Sequence, residues 1–202
     1  VDLNDAILCE GRNIFNLLNN KNHTLDIAQH YSHKDSFDIV IAANVINELQ
    51  SQDEQIKICE SLLNITDKSG IFIIIDPALQ KTTRSLMLLR NKLIEKNNVS
   101  VVAPCLHQNP CPMLFANERD WCHFYIEWER PSLIQKMDEK VGTNHKFLKM
   151  AYLVLQPKFQ IPVPDHTARV VSSPIITKGK CEIVLCTSIG ELKKIRRTNR
   201  DK

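Results

Sequence analysis

Ser36-Phe37-Asp38-Ile39-Val40-Ile41-Ala42-Ala43 is the stretch whose reading decides the fold. It is a continuous apolar run of strand length, β-branched at its centre, as expected of a strand buried on both faces of a parallel sheet. Downstream, Asn44 to Leu49 reads as an exit loop with a short helical turn. Residues 53–65 read as a helix with Ile56, Cys59, Leu62 and Leu63 on one side. Ser69-Gly70 then turns the chain into Ile71-Phe72-Ile73-Ile74-Ile75-Asp76-Pro77, a second buried strand. A helix over 83–96 and a strand over 99–102 continue the series. Upstream, Val1-Asp2 reads as a strand's end, followed by a helix over 4–18 with an apolar face of Ile7, Leu8, Ile14, Leu17 and Leu18. Strands and helices alternating at this spacing are the rhythm of right-handed parallel crossovers, so the expected class is α/β with a Rossmann-like sheet.

Such sheets bind ligands beyond the carboxyl ends of their strands, where Asp2, Asn44, Asn47 and Asp76 all fall. Asp2 suits the ribose hydroxyls of a nucleotide cofactor, or else caps the helix that follows it. The amides of Asn44 and Asn47 offer hydrogen bonds to a cofactor or substrate, or else cap a helix. The chain has five glycines and no GxGxxG, so the glycine turn of a cofactor site is expected upstream of Val1. No side chain stands out as nucleophile or general base, and His30 and His33 read as surface loop.

The character changes after residue 103. Pro104-Cys105-Leu106-His107-Gln108-Asn109-Pro110-Cys111-Pro112 and Asp120-Trp121-Cys122-His123-Phe124 place three thiols in proline-rich loop, where there is little core to join. Thiolates are the preferred ligands of soft metals and iron–sulfur clusters, so the pattern points to a metal clamp. Three cysteines leave a four-coordinate site one donor short. Cys181 and Cys186 lie on opposite faces of a strand, because odd spacing reverses the side chain, so only one can face the loop. Cys186, at the strand's end, is preferred; His107 and His123 are the substitutes if the fourth donor is imidazole. Zinc and a cubane cluster ask for the same four ligands, and spacing does not choose between them. Cys9 and Cys59, on apolar sides of helices, read as core thiols.

Further on, residues 124–140 read as helical with a break at Pro131, and Phe147 to Leu155 as a strand. Val170-Val171 and Glu182 to Cys186 read as strands closing the sheet. The expected organisation is therefore three parts: 1–103, a nucleotide-binding α/β portion; 104–146, a Cys/His-rich insertion; and 147–202, closing strands and a basic tail. In that tail Lys193, Lys194, Arg196, Arg197, Arg200 and Lys202 face a single acid, Asp201. It is either a solvated tail or an RNA-facing strand or arm.

The 202 residues, 43% hydrophobic, suffice for one large or two small packed domains, and the charge of +3 permits nucleic-acid contact without demanding it. No apolar run approaches the roughly 20 residues of a membrane span, and no secretory signal opens the chain. Seven cysteines, an odd number, argue for a reducing compartment over a disulfide framework. A chain opening on Val1 without methionine is expected to begin further upstream.

Segments 38–49, 71–77, 101–113, 120–124, 147–155 and 178–187 together resemble the Rsm22 family, in the same order. That family comprises mitochondrial small-ribosomal-subunit assembly proteins, called methyltransferase-like 17 in animals, and their bacterial relatives. The most specific elements are Ala103-Pro104-Cys105-x-His107-x-x-x-Cys111-Pro112 and Asp120-Trp121-Cys122-His123-Phe124. The resemblance implies a class I methyltransferase sheet, incomplete at its amino terminus, with an inserted Cys-rich metal-binding segment. It implies S-adenosylmethionine as cofactor, with Asp2 at its ribose and Asn44 and Asn47 on the loop that faces it. It further implies a 4Fe-4S cluster held by Cys105, Cys111, Cys122 and Cys186, and action on the small ribosomal subunit and its rRNA. The expected setting is the mitochondrial matrix or a bacterial cytoplasm, with no membrane association and a monomer when off the ribosome. Leu106 stands where the family usually has proline, and the family's chain extends beyond both ends of this one. Asn44-Val45-Ile46-Asn47 lacks the Pro-Pro-aromatic motif with which base-modifying methyltransferases hold an exocyclic amine, which tilts the expectation toward RNA binding over methyl transfer. The competing expectation is a zinc-containing, S-adenosylmethionine-dependent methyltransferase acting on a small molecule.

Overall fold

The computed structural model describes residues 4–17, 36–97, 99–157 and 166–198, which fall into two units described separately. The first holds one helix, α1 (Asp5–Leu17), started by the Asn4 Oδ1 that accepts from the Ala6 amide at 3.0 Å. None of its residues is buried, and Cys9, expected in a core, is exposed. Asp2 and Leu18 lie outside the described residues.

The second unit begins with β1 (Phe37–Ala43), followed by a 3-10 turn over Ile46–Glu48, α2 (Gln52–Asn64), β2 (Thr66–Pro77), α3 (Gln80–Asn97) and β3 (Val99–Ala103). Next come α4 (Pro112–Ala116), β4 (Phe124–Glu127), α5 (Ser132–Val141) and β5 (Phe147–Pro157). β1 and β2 pair in parallel, while β5 runs antiparallel to both β2 and β3, giving the order β1-β2-β5-β3. β1, β2 and β3 therefore share one direction, as the strand–helix alternation requires, with β5 reversed between β2 and β3.

Period-two alternation sets the faces. Val40, Ala42, Phe72, Ile74, Leu153 and Leu155 are buried, together with Ile56, Cys59 and Leu63 of α2 and Leu86, Leu89 and Leu93 of α3. On the opposite face Ile39 and Ile41 are 58% and 59% exposed. The expectation that β1 is buried on both faces is thus corrected: among the described residues it ends the sheet and carries helices on one side. α2 starts on a reciprocal cap, with Ser51 Oγ accepting from the Glu54 amide and the Glu54 carboxylate accepting from the Ser51 amide, each at 3.2 Å.

β2 starts earlier than the sequence suggested. Ser69-Gly70 does not turn the chain; it lies inside β2 in a bulge, where the register jumps from Phe37↔Thr66 to Ile39↔Ile71. A Cβ on Gly70 would stand 2.7 Å from the Asp38 carbonyl oxygen and 2.9 Å from that of Phe37. Both obstacles are backbone, so one strand must shift to accept a methyl. Gly70→Ala is expected to cost about 1–3 kcal/mol, the range for overpacking, read as a lower urea midpoint at an unchanged slope.

Two further expectations are corrected. Residues 124–127 form the strand β4 instead of helix, because pairing with β5 from Phe124↔Met150 to Glu127↔Phe147 satisfies their backbone; the helix begins only at Ser132, after Pro131. Nor do the later strands close the main sheet. β6 (Ala168–Val170), β7 (Ile175–Thr177), β8 (Lys180–Thr187) and β9 (Leu192–Thr198) form a separate antiparallel sheet, with β6, β7 and β9 all paired to β8. Hairpin connections let β8 take antiparallel neighbours directly, whereas the main sheet's reversed position is already filled by β5.

Candidate functional site

Met150 pairs with Pro77 of β2 and with Phe124 of β4, and Leu155 pairs with Phe72 of β2 and Val101 of β3. A strand has two edges, so β3 and β4 share the edge of β5 that β2 does not use. The chain leaves that edge after Ala103 and returns at Phe124, and the excursion between them is the cysteine loop.

α3 carries the loop. Gln80, Arg84, Met87 and Asn91 recur at helical spacing, so one stripe faces it. Gln80 Nε2 donates to the Glu118 and Arg119 carbonyls at 3.0 Å, and the Arg84 fork reaches the carbonyls of Leu114, Asn117 and Asp120 at 2.7–3.2 Å. Met87 packs with Cys111 and Met113, and Asn91 Oδ1 accepts from the Cys111 amide at 3.0 Å. Beside this stripe Arg90, only 1% exposed, donates to the His107 carbonyl at 2.6 Å and the Asn109 carbonyl at 2.5 Å. Gln108 extends β3 with its side-chain amide, donating to Val101 O at 2.9 Å and accepting from Val101 N at 2.8 Å. On the other side Asn109 Nδ2 donates to Ile189 O at 2.9 Å, and Gly190 passes so close that a Cβ there would meet His107 Nδ1 at 3.1 Å. The loop is thus fixed between α3 and the β8–β9 turn.

These ties bring four thiols to one small cavity, lined by Cys105, Cys111, Cys122 and Cys186 with His107 and Arg169. Cys105, Cys111 and Cys122 also border a second small cavity, against Thr83, Met87 and Arg90 of α3. The thiols surround a space; among the described residues no three His, Cys, Asp or Glu side chains are grouped as they would be to hold a metal ion. Burial raises the pKa of Cys111, Cys122 and Cys186, in the last case to about 11, and the neighbouring sulfurs add to the rise. At Cys122 the Arg169 guanidinium opposes that rise, its Nη2 donating to Sγ at 2.8 Å.

Of the alternative donors, His107 is 4% exposed and faces the cavity, its Nε2 3.4 Å from Cys186 Sγ. Burial and the Arg90 charge lower its pKa, so the ring is neutral. Its Nδ1–H donates to the Asn109 carbonyl at 3.1 Å, leaving Nε2 as acceptor for the Cys186 thiol. His123 instead stacks on Trp121 at 5.4 Å and does not line the cavity. Cys181 is opposite Arg197 and Ile176 in the second sheet and does not line it either.

The strand-end residues are also adjacent to one another. Asn44 sits at φ 55 where the chain leaves β1, its amide donating to the Ile75 carbonyl at 2.8 Å, and its side chain is exposed. Neither Asn44 nor Asn47 caps a helix: the 3-10 turn follows Val45 without a side-chain cap, and α2 is capped by Ser51. Asn47 Oδ1 is buried and has no hydrogen-bond partner among the described residues. Asp76, 2% exposed, has its Oδ1 in the same state. Burial pushes Asp76 up to about 6, against the opposing pull of the Asn47 backbone amide. The folded protein therefore binds the Asp76 proton more tightly than the unfolded chain does. Stability is fully present below the ordinary carboxylate range and is lost as pH rises from about 4 to about 6. In Asp76→Asn that decline is expected to flatten, with urea midpoints at pH 4 and pH 7 differing by less than in wild type.

The basic tail is in part a strand. β9 runs along the edge of the second sheet, and Arg196 Nε donates to Glu182 Oε1 at 2.6 Å. Arg200 and Lys202 lie outside the described residues. Sequence reasoning missed Arg90 and Arg169. Arg90 left a legible trace, since it lies between Leu86 and Leu93 on the buried side of α3; Arg169, in a short strand, left none.

Two proteins of Schizosaccharomyces pombe, Rsm22-cox11 tandem proteins 1 and 2, mitochondrial, are each 27% identical to this chain over 151 residues. The match covers 67% of this chain and 20% of each relative, so the chain spans about a fifth of the length of the curated relatives it matches. A solved structure, PKMT2 from Rickettsia typhi in complex with AdoHcy, matches 98% of this chain and 54% of its own at 14% identity and a TM-score of 0.37, below the level at which folds correspond. The family model described as mitochondrial small ribosomal subunit Rsm22 matches residues 2–202, nearly the whole length, and the chain therefore belongs to the Rsm22 family.

Proposed function

We propose that this chain is part of a small-ribosomal-subunit assembly factor that contacts rRNA and holds a 4Fe-4S cluster through Cys105, Cys111, Cys122 and Cys186. The observation that carries the reading is the convergence of these four thiols, from residues 81 apart at the extremes, around one cavity. Zinc and a cubane core both take four thiolates, and the resemblance of the cysteine motifs to the family favours the cluster. Family membership supports the ribosomal setting, and with it the mitochondrial matrix or a bacterial cytoplasm.

A class I methyltransferase sheet is supported by the topology, three strands of one direction with a single reversed strand slotted between the last two. In that frame Asn44 and Asn47 border the S-adenosylmethionine pocket, and the excursion between Ala103 and Phe124 carries three of the four cluster ligands. The unpartnered Asn47 Oδ1 and Asp76 Oδ1 at the strand ends are acceptors that such a cofactor would meet. RNA binding is the favoured activity over methyl transfer, with the basic residues of the edge strand β9 as its charged element.

Metal analysis of anaerobically purified protein decides the central point. Four irons and four sulfides per chain with absorbance at about 400 nm are expected; a colourless protein with one zinc and no iron overturns the cluster reading. Labelled S-adenosylmethionine incubated with full-length protein and immature small subunits tests the rest. Label in rRNA would replace the binding role with a catalytic one.

A further inference from the structure

Two arginines beside the thiols have no carboxylate partner among the described residues. Arg90 is fully buried and meets only the carbonyls of His107 and Asn109 and the Asn91 side chain, with Nε unpartnered. Arg169 donates to Pro104 O at 3.1 Å and to Cys122 Sγ at 2.8 Å, lies 4.4 Å over the Phe124 ring, and also has a buried, unpartnered Nε. Arg90 borders the cavity shared by Cys105, Cys111 and Cys122, and the half-buried Arg169 borders the one that adds Cys186. Withdrawing a guanidinium from water without a counter-charge is costly, and an anion at these thiols would compensate both. Four neutral thiols do not supply it. Four thiolates around an oxidised cubane core do, since they leave the centre a dianion.

We infer that Arg169, with Arg90 behind it, is the built-in counter-charge of the cysteine centre, and that the Arg169–Cys122 contact sets the centre's reduction potential. The inference rests on the cluster reading above. Reduction adds one more negative charge, so a guanidinium donating to a ligand sulfur favours the reduced form and raises the potential. Arg169 touches no reacting atom other than through Cys122; it is a positioning residue. Among the described residues of the second sheet, Arg196 and Lys180 instead pair with Glu182, and Lys193 lies 3.9 Å from Glu191.

The test compares anaerobically purified wild type, Arg169→Gln and Arg169→Lys by iron content and by a dithionite titration followed by electron paramagnetic resonance. Arg169→Gln is expected to disfavour reduction about tenfold, a shift of about 59 mV for one electron, to more negative potential. Arg169→Lys, keeping the charge, should retain more than half of the wild-type advantage. Equal potentials in wild type and Arg169→Gln, with iron full in both, overturn the inference and leave the cluster reading intact. Wild type without iron overturns the cluster reading, and this inference with it. If Arg169→Gln takes up no cluster, Arg169→Lys decides: a loaded lysine variant supports the counter-charge, and an empty one assigns Arg169 to packing and overturns it.

Discussion

Cys111→Ser is expected to lower iron occupancy at least tenfold and to reduce stability by about 2–4 kcal/mol. The first effect follows from ligand chemistry, since a serine hydroxyl at neutral pH is not a soft anionic donor. The second follows from what the centre joins. Cys105 and Cys186 are 81 residues apart, and a cross-link closing a loop of that length removes about 4 kcal/mol of chain entropy from the unfolded state. The full amount is not expected, because the Asn109–Ile189 hydrogen bond and the close approach of Gly190 to His107 already tie the loop to the β8–β9 turn. The control is Cys59→Ala. Cys59 is 0% exposed, and burial pushes its thiol up to about 12, so it is an apolar filler that no metal needs. Serine would be the wrong control there, because a hydroxyl in that site costs about 1–3 kcal/mol for want of a partner. Iron analysis and urea unfolding of the two variants, prepared side by side, give the answer. Equal iron in Cys111→Ser and Cys59→Ala would dissolve the distinction between clamp and core.

Much of the main sheet could be read directly. Ile39–Ile41 and Ile71–Ile75 have no helical period, and the helices between and after them carry one. β5 was legible as a strand, but its slot between β2 and β3 was not, because pairing partners are set by edges and not by composition. β4 was misread, and β9 was left open between a solvated tail and a strand, for a related reason. Phe124-Tyr125-Ile126-Glu127 is four residues long, and Lys193-Lys194-Ile195-Arg196-Arg197 is so charged that composition allowed solvent as readily as a strand; in both cases an available strand edge decided. The four thiols named from the sequence do line one cavity; three were marked by proline-rich loop, where a cysteine has few other reasons to be, and Cys186 by its place at a strand's end. The arginines beside them were invisible for the opposite reason: an arginine has many ordinary uses, and only a buried, unpartnered Nε with no carboxylate nearby marks these two.

Arg90→Leu carries the other large expected effect, a loss of about 3–5 kcal/mol. Leucine suits a helix, so propensity does not account for a change of that size, while the volume it leaves unfilled adds to the loss. What the substitution removes is the donor set. The buried His107 carbonyl, now 2.6 Å from the guanidinium, would be left without a donor, the Asn109 carbonyl would keep only the His107 Nδ1–H, and Asn91 Oδ1 would keep only the Cys111 amide. Each orphaned buried acceptor costs about 1–3 kcal/mol. One gain opposes them: a buried charge with no carboxylate partner disappears, and the apo protein is relieved of its desolvation. The balance therefore depends on what fills the cysteine cavity. With an anionic centre present, Arg90 is compensated and its loss takes the full amount. With four neutral thiols, part of the loss is returned. Urea unfolding of wild type and Arg90→Leu, each with and without the metal removed under anaerobic chelation, separates the two contributions. The stability difference between the two proteins should be larger in the metal-loaded pair by at least 1 kcal/mol, about a factor of five in the folding equilibrium. A difference that is the same in both pairs would make Arg90 a structural tie between α3 and the loop and nothing more, and the charge of the cysteine centre would then have to be balanced from elsewhere.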